Sequence, residues 1–162
     1  MNYRYIYLIK KWPYSGFGED FDSKFSYNTW TLCNFLSRHV RKLHLPTDGD
    51  YNLLSCAITK EKDHVRVCSV NCLDVSLHVS DSEIQRYLAM RSEQERFEFY
   101  FSLLERGYRL AALSHSVPID DFLRLHQQFR DLGYRNEWLF KKVMLREYGI
   151  KVILEHVLTQ YE

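Results

Sequence analysis

The sequence predicts an α+β fold, a small antiparallel or mixed sheet packed against helices, with a mainly helical second half. Two observations lead there. Before residue 80 the apolar residues recur with period two. The clearest case is Leu73, Val75, Leu77 and Val79, which leaves Asp74, Ser76 and His78 on the opposite face. Beyond residue 80 the period becomes helical, and two capping boxes, Ser80 to Glu83 and Ser92 to Glu95, introduce the helical stretches. A chain of 162 residues fits a single domain, 1–162, with room for a substantial core.

Taken in order, Tyr3 to Lys11 reads as the first strand. Ile6 and Leu8 fall on one side and Tyr5, Tyr7 and Ile9 on the other, a pattern expected of a central strand covered on both faces. Residues 12–28, with Pro13, Gly16 and Gly18, read as a long connection. A helix follows over about 29–44, with Thr29 as its N-cap and Leu32, Leu36, Val40 and Leu43 on its buried stripe. Leu54-Cys56-Ile58, Val65-Val67 and Leu73 to Val79 read as a three-stranded meander, with 60–63 as the first turn. Phe97, Tyr100, Phe101 and Leu104 mark a helix that Gly107 would terminate. Pro118, Asp120 and Asp121 suit the start of another, whose inner face carries Ile119, Phe122, His126 and Phe129 and which Gly133 closes. Asn136 is expected to cap one more helix, running to Gly149. Ile150 to Leu158 is compatible with either strand or helix.

Composition excludes several classes. The formal charge is +1 and evenly spread, with ten basic and eight acidic side chains in residues 1–80 and twelve and thirteen in the remainder. Nucleic-acid affinity rests on cationic neutralisation of phosphates, which no global charge supplies here. The densest local basic run is Arg38-His39-Val40-Arg41-Lys42. Four cysteines without a secretory signal or a membrane-length apolar stretch read as free thiols in a reducing, cytoplasmic compartment.

Motifs that would name a reaction are missing. Gly16-Phe17-Gly18 lacks a third glycine, and Glu19, Asp20 and Asp22 place negative charge where a dinucleotide's phosphates would sit. There is no phosphate-binding GxxxxGK[ST] and no GxSxG nucleophile elbow. His64, Cys68, Cys72 and His78 share strand parity, but a turn near 69–71 would split them, so no metal and no cofactor is expected. Ser114-His115-Ser116, ahead of Asp120-Asp121, is the richest acid–base cluster, yet its position before a proline-led helix reads as capping. His126, on an apolar helix face, reads as a satisfied core histidine. No catalytic residue is assigned.

The segment 12–28 differs in kind. Trp12, Tyr14, Phe17, Phe21, Phe25 and Tyr27 alternate there with glycines and acids. Trp12, Phe25 and Tyr27 are expected to fold back onto the sheet, whereas Phe17, Glu19, Asp20, Phe21 and Asp22 are the candidate partner-binding residues, presenting an acidic-aromatic surface to a basic protein. In general profile across the whole chain the sequence resembles the small bacterial immunity proteins that neutralise polymorphic or contact-dependent toxins. The resemblance implies a non-catalytic toxin inhibitor that occludes its partner stoichiometrically, with the acids meeting basic residues of a nuclease-type toxin. A nucleic-acid-associated regulator using a helix-turn-helix-like pair within 118–148 is the alternative. An enzyme whose site is assembled from distant residues is the third.

Overall fold

The computed structural model describes residues 1–11, 16–145 and 150–158, with side-chain detail outside 19, 20, 23, 138–145 and 150–158. Trp12, Pro13, Tyr14, Arg146 and Gly149 therefore lie outside the described residues. The fold is α+β. Its elements are β1 (Tyr5–Lys10), α1 (Glu19–Leu43), β2 (Leu53–Thr59), β3 (His64–Cys68), β4 (Cys72–His78), α2 (Asp81–Ala89), α3 (Glu93–Ala111), α4 (Ile119–Asp131), β5 (Asn136–Leu145) and β6 (Ile150–Leu158).

The four-stranded sheet has the order β1-β2-β4-β3. β1, β2 and β4 run parallel, and β3 is antiparallel to β4. The expected meander is therefore not formed, because β4 inserts between β2 and β3. Apolar rows cross the sheet on one face: Ile6, Leu54, Leu73 and Val67 in one row, Leu8, Cys56, Val75 and Val65 in the next. α1 and α3 pack on this face, and α4 lies against both helices. Leu73, Val75 and Leu77 are buried as their alternation requires, but Ser76 on the other face is buried as well. Among the described residues no helix is long and apolar enough to cross a membrane.

β1 is an edge strand, not a central one, and the reason it reads as central lies in α1. Along its outer edge, Ser37 Oγ accepts from Ile6 N–H at 3.1 Å and donates to Ile6 C=O at 3.3 Å. One turn earlier Cys33 Sγ accepts from Leu8 N–H at 3.2 Å and donates to Leu8 C=O. One turn later Arg41 Nε donates to Arg4 C=O at 3.1 Å. Four helical residues rise about 6 Å and two strand residues about 6.6 Å, so helix and strand keep step over three contacts. Burial pushes the Cys33 thiol up to about 12, which keeps the S–H that Leu8 C=O accepts.

α1 starts ten residues earlier than the sequence suggested. Gly18, at φ 103°, opens it, and Asp22 N–H bonds Gly18 C=O at 3.0 Å. Phe21, Phe25, Leu32, Leu36 and Val40 then continue one buried stripe, and the acids that looked like loop composition occupy the positive end of the helix. Thr29 is thus an interior, buried position rather than an N-cap.

The capping boxes of α2 and α3 form as the sequence indicates. Gly107 does not end α3. It sits inside the helix, where an added Cβ would come within 2.3 Å of Cys56 Sγ, so glycine sets the closeness of helix to sheet. Residue 136 begins a strand, not a helix: Asn136 is buried, donates to Thr31 C=O at 3.1 Å and Asn34 Oδ1 at 3.0 Å, and accepts from Arg38 at 3.0 Å. β5 then pairs with β6 as a separate antiparallel hairpin. The helix-turn-helix pair expected within 118–148 is consequently absent, because α4 is followed by strand.

Two stability tests follow. Ser37→Ala leaves Ile6 N–H and C=O unpaired at a buried edge, and chemical denaturation should show a loss of about 1–3 kcal/mol. Gly107→Ala, which would stabilise an exposed helix, should instead destabilise by about 1–3 kcal/mol through overpacking. Cys56→Ala in the same chain should recover much of that loss in a double-mutant cycle.

Candidate functional site

In sheets with parallel strands, ligands favour the crevice at the carboxyl ends of those strands. Here that rim is formed by the ends of β1, β2 and β4 together with the first turns of α1 and α2. Phe17 is half-buried and meets Phe21 edge-on at 5.4 Å. Phe21 is only 5% exposed, stacked on Phe25 and set edge-on to Tyr87. Asp22 is buried and pairs with Lys10 at 3.3 Å. Glu19 and Asp20 are the first two residues of α1. The five candidate residues thus stand together at the rim, but the helix turns Phe21 and Asp22 inward, where their groups already have partners.

The rest of the rim is closed by ion pairs. Lys11 pairs with Glu61, and Lys60 with Asp81 at 2.8 Å, its ammonium 5.7 Å from the Phe17 ring centre. Arg106 bridges Glu83 at 2.9 Å and His78 C=O at 2.6 Å. His78 Nδ1 lies 3.0 Å from Lys60 C=O and 3.2 Å from Glu61 C=O, and since carbonyls only accept, that nitrogen carries the proton. These charges are spent in tying the loops at the rim to one another.

The His115 cluster has a different partner from the one expected. Asp48, in the α1–β2 connection, accepts from Tyr51 O–H and from Ser116 N–H at 2.6 Å, and lies 3.6 Å from His115 Nδ1. Tyr3 O–H donates to Ser116 C=O at 3.1 Å. The Tyr51 hydroxyl and the Ser116 N–H hold the Asp48 carboxyl below its ordinary range. The arrangement latches the α3–α4 loop to the body, with the carboxylate engaged rather than orienting a base toward an open site.

His126 is buried, its Nε2 3.1 Å from Tyr108 Oη and its ring stacked on Phe101 at 4.5 Å. Burial, reinforced by Arg130, lowers its pKa to about 3, so it is neutral and unavailable. Burial likewise pushes up the Cys56 thiol, which faces Gly107. His64, Cys68, Cys72 and His78 do not converge. Cys68 and Cys72 are cross-strand partners, whereas His64 is paired with Ser76 at the far end of β3. Among the described residues no three His, Cys, Asp or Glu side chains gather as a metal site. Four of the five residues of the basic run on α1, all but the exposed Lys42, are used locally. Arg38 bonds Asn136, His39 bonds Phe35 C=O at 2.9 Å, Val40 is buried and Arg41 bonds Arg4 C=O.

What the sequence did not disclose is the contrast between the two sheet edges. β1 is sealed by α1. β3 has no neighbouring strand on its outer side among the described residues, and its hairpin exposes Val67 and Val70 at 47% and 74%. Val67 lay in an alternating pattern that marked a strand and Val70 in the turn after it, but edge position depends on strand order, which alternation does not encode. No protein-family model matches the chain, and no curated protein or solved structure matches it.

The buried histidine sets a pH test. The unfolded chain protonates His126 below its ordinary pKa near 6.5, while the folded chain resists until about 3. Its contribution is present above pH ~6.5 and is lost as pH falls toward 3, with a slope of at most about 1.4 kcal/mol per pH unit. Urea unfolding between pH 7 and 4.5 should show this slope, and His126→Phe should flatten it whatever its effect at pH 7.

Proposed function

We propose that this chain is a non-catalytic protein-binding module, acting in the manner of an immunity protein that occludes a toxin stoichiometrically. The observation that carries this reading is the unequal treatment of the sheet's two edges. Two α1 side chains answer the backbone of β1 and a third that of Arg4 just before it, while β3 has no strand on its outer edge among the described residues and sets exposed valines beside it. A free edge accepts a partner's strand through main-chain hydrogen bonds, and neighbouring side chains supply the selectivity. β3 is short and carries His64 and Arg66, features that discourage indiscriminate edge pairing while leaving room for a chosen partner.

The first turn of α1 is the second contact. Phe17 supplies the aromatic surface, and Glu19 and Asp20 supply negative charge that suits a partner with a basic face. Phe21 and Asp22 support that turn from inside. The chemistry of the titratable groups favours binding over catalysis: His126 is buried and held neutral, Asp48 is engaged by its donors, and the rim cations Lys10, Lys60 and Arg106 are paired.

The test is purification from the native host, identification of any protein that remains bound, and kinetic comparison of surface variants. Val67→Lys with Val70→Lys should weaken the complex at least tenfold, chiefly through faster dissociation. Asp20→Asn should slow association at low salt and little else. Phe21 and Asp22 are unsuitable probes because replacing either opens the interior. Parental binding by all these variants would refute both surfaces. Retention of duplex DNA with steep salt dependence, in place of a protein, would overturn the reading itself.

A further inference from the structure

We propose that Cys68 and Cys72 are a redox pair that closes a reversible disulfide within the β3–β4 hairpin when the protein meets a hydroperoxide. The two residues face each other directly across the antiparallel ladder. Such partners have Cα atoms about 4.5–5.5 Å apart, inside the span of about 4.4–6.8 Å that a disulfide requires. The turn between them, Ser69-Val70-Asn71, closes in three residues because Asn71 adopts the left-handed conformation at φ 56°. The backbone therefore already holds the spacing, and oxidation requires only side-chain rotation. Both residues lie on the sheet face away from the helices, in phase with Asp74 and Arg66.

Their environments give them different tasks. Cys68 is half-buried at the free edge, whereas Cys72 is 6% exposed, so an oxidant reaches Cys68 first. Arg66, fixed by Asp74 at 3.2 Å, stands on the same face of β3 as Cys68 and brings a cation to the side where charge develops during attack. Cys33 and Cys56 do not compete: one is bonded to the β1 backbone and the other is pressed against α3 at Gly107.

The Cys68 thiolate attacks the hydroperoxide oxygen, the O–O bond breaks, and the departing alkoxide or hydroxide takes up a proton. Cys68 is left as a sulfenic acid. Cys72 then gives up its thiol proton, its sulfur bonds to that of Cys68, and the hydroxide released leaves as water. Two thiols lose two protons and two electrons, and the hydroperoxide takes them up to give an alcohol and water, or two waters if it is hydrogen peroxide. Burial holds the Cys72 thiol up at about 12, so Cys72 meets the sulfenic acid as a thiol that must give up its proton in the closing step. None of this depends on whether the hairpin binds a partner.

The experiment uses hydrogen peroxide on the native, reduced chain, followed by trypsin and mass spectrometry. Cleavage after Arg66 and Arg86 leaves both cysteines in one peptide, residues 67–86. That peptide should lose two hydrogens, regain them with dithiothreitol, and do so while Cys33 and Cys56 remain alkylatable after unfolding. Cys72→Ser should leave Cys68 trapped as a sulfenic acid that dimedone captures, and Cys68→Ser should leave Cys72 unmodified under the same dose. Oxygen uptake at Cys68 of the parent chain without loss of two hydrogens would overturn the proposal, as would covalent dimers through Cys68 or no reaction at all.

Discussion

The outer edge of β1 is a row of backbone donors and acceptors that must be satisfied in a dry place, and much of the architecture depends on how α1 satisfies it. Cys33, Ser37 and Arg41, each one helical turn apart, meet Leu8, Ile6 and Arg4 in turn. This match fixes the helix nearly alongside the strand instead of across the sheet. With the helix so placed, Leu32, Phe35, Leu36 and Val40 fall into the core, and the start of α1 arrives at the carboxyl ends of the parallel strands. The aromatic ladder from Phe17 through Phe21 and Phe25 to Tyr87 and Tyr100 is a consequence of that placement.

A second close approach holds the other helical layer. Gly107 lets α3 descend onto Cys56, which brings Phe97, Tyr100, Phe101, Leu104 and Tyr108 into reach of the sheet and of α4. The polar groups carried inside by these large residues find one another. Tyr87 and Tyr100 share a hydrogen bond at 2.8 Å, and Tyr108 and His126 share one at 3.1 Å. Buried polar atoms cost stability unless paired, so these bonds make an aromatic-rich interior tolerable and also fix its geometry. The high content of Tyr and Phe belongs mainly to this interior.

The molecule is therefore asymmetric. On the α1 side, backbone, thiol and hydroxyl are locked into mutual hydrogen bonds. On the β3 side, a short strand has no neighbour on its outer edge among the described residues, and its Cys68 faces Cys72 of β4. The β3–β4 hairpin is where this fold leaves apolar side chains, Val67 and Val70, exposed beside an unpaired strand edge. The same asymmetry explains why the cysteines differ in environment although their spacing in sequence says nothing of it.

What the sequence determined by itself was local. Alternation at Leu73, Val75 and Leu77, the boxes at Ser80 and Ser92, and the proline-led start of α4 depend on residues within a few positions of one another, and each reads through directly. The α+β class follows from the same local periods, and His126 was legible as a core histidine from its helical face. Tertiary structure decided whatever required a distant partner. The acids at 19–22 form a helix turn because Phe21 and Phe25 have Tyr87 and Tyr100 to pack on, Asn136 starts a strand because Thr31, Asn34 and Arg38 of α1 receive it, and Gly107 stays helical because Cys56 lies beneath it. In the candidate site, sequence composition grouped Phe17, Glu19, Asp20, Phe21 and Asp22 but did not say that Phe21 and Asp22 turn inward. That distinction depends on where the helix axis lies relative to the sheet, and the axis is set by contacts with β1 that no local pattern contains.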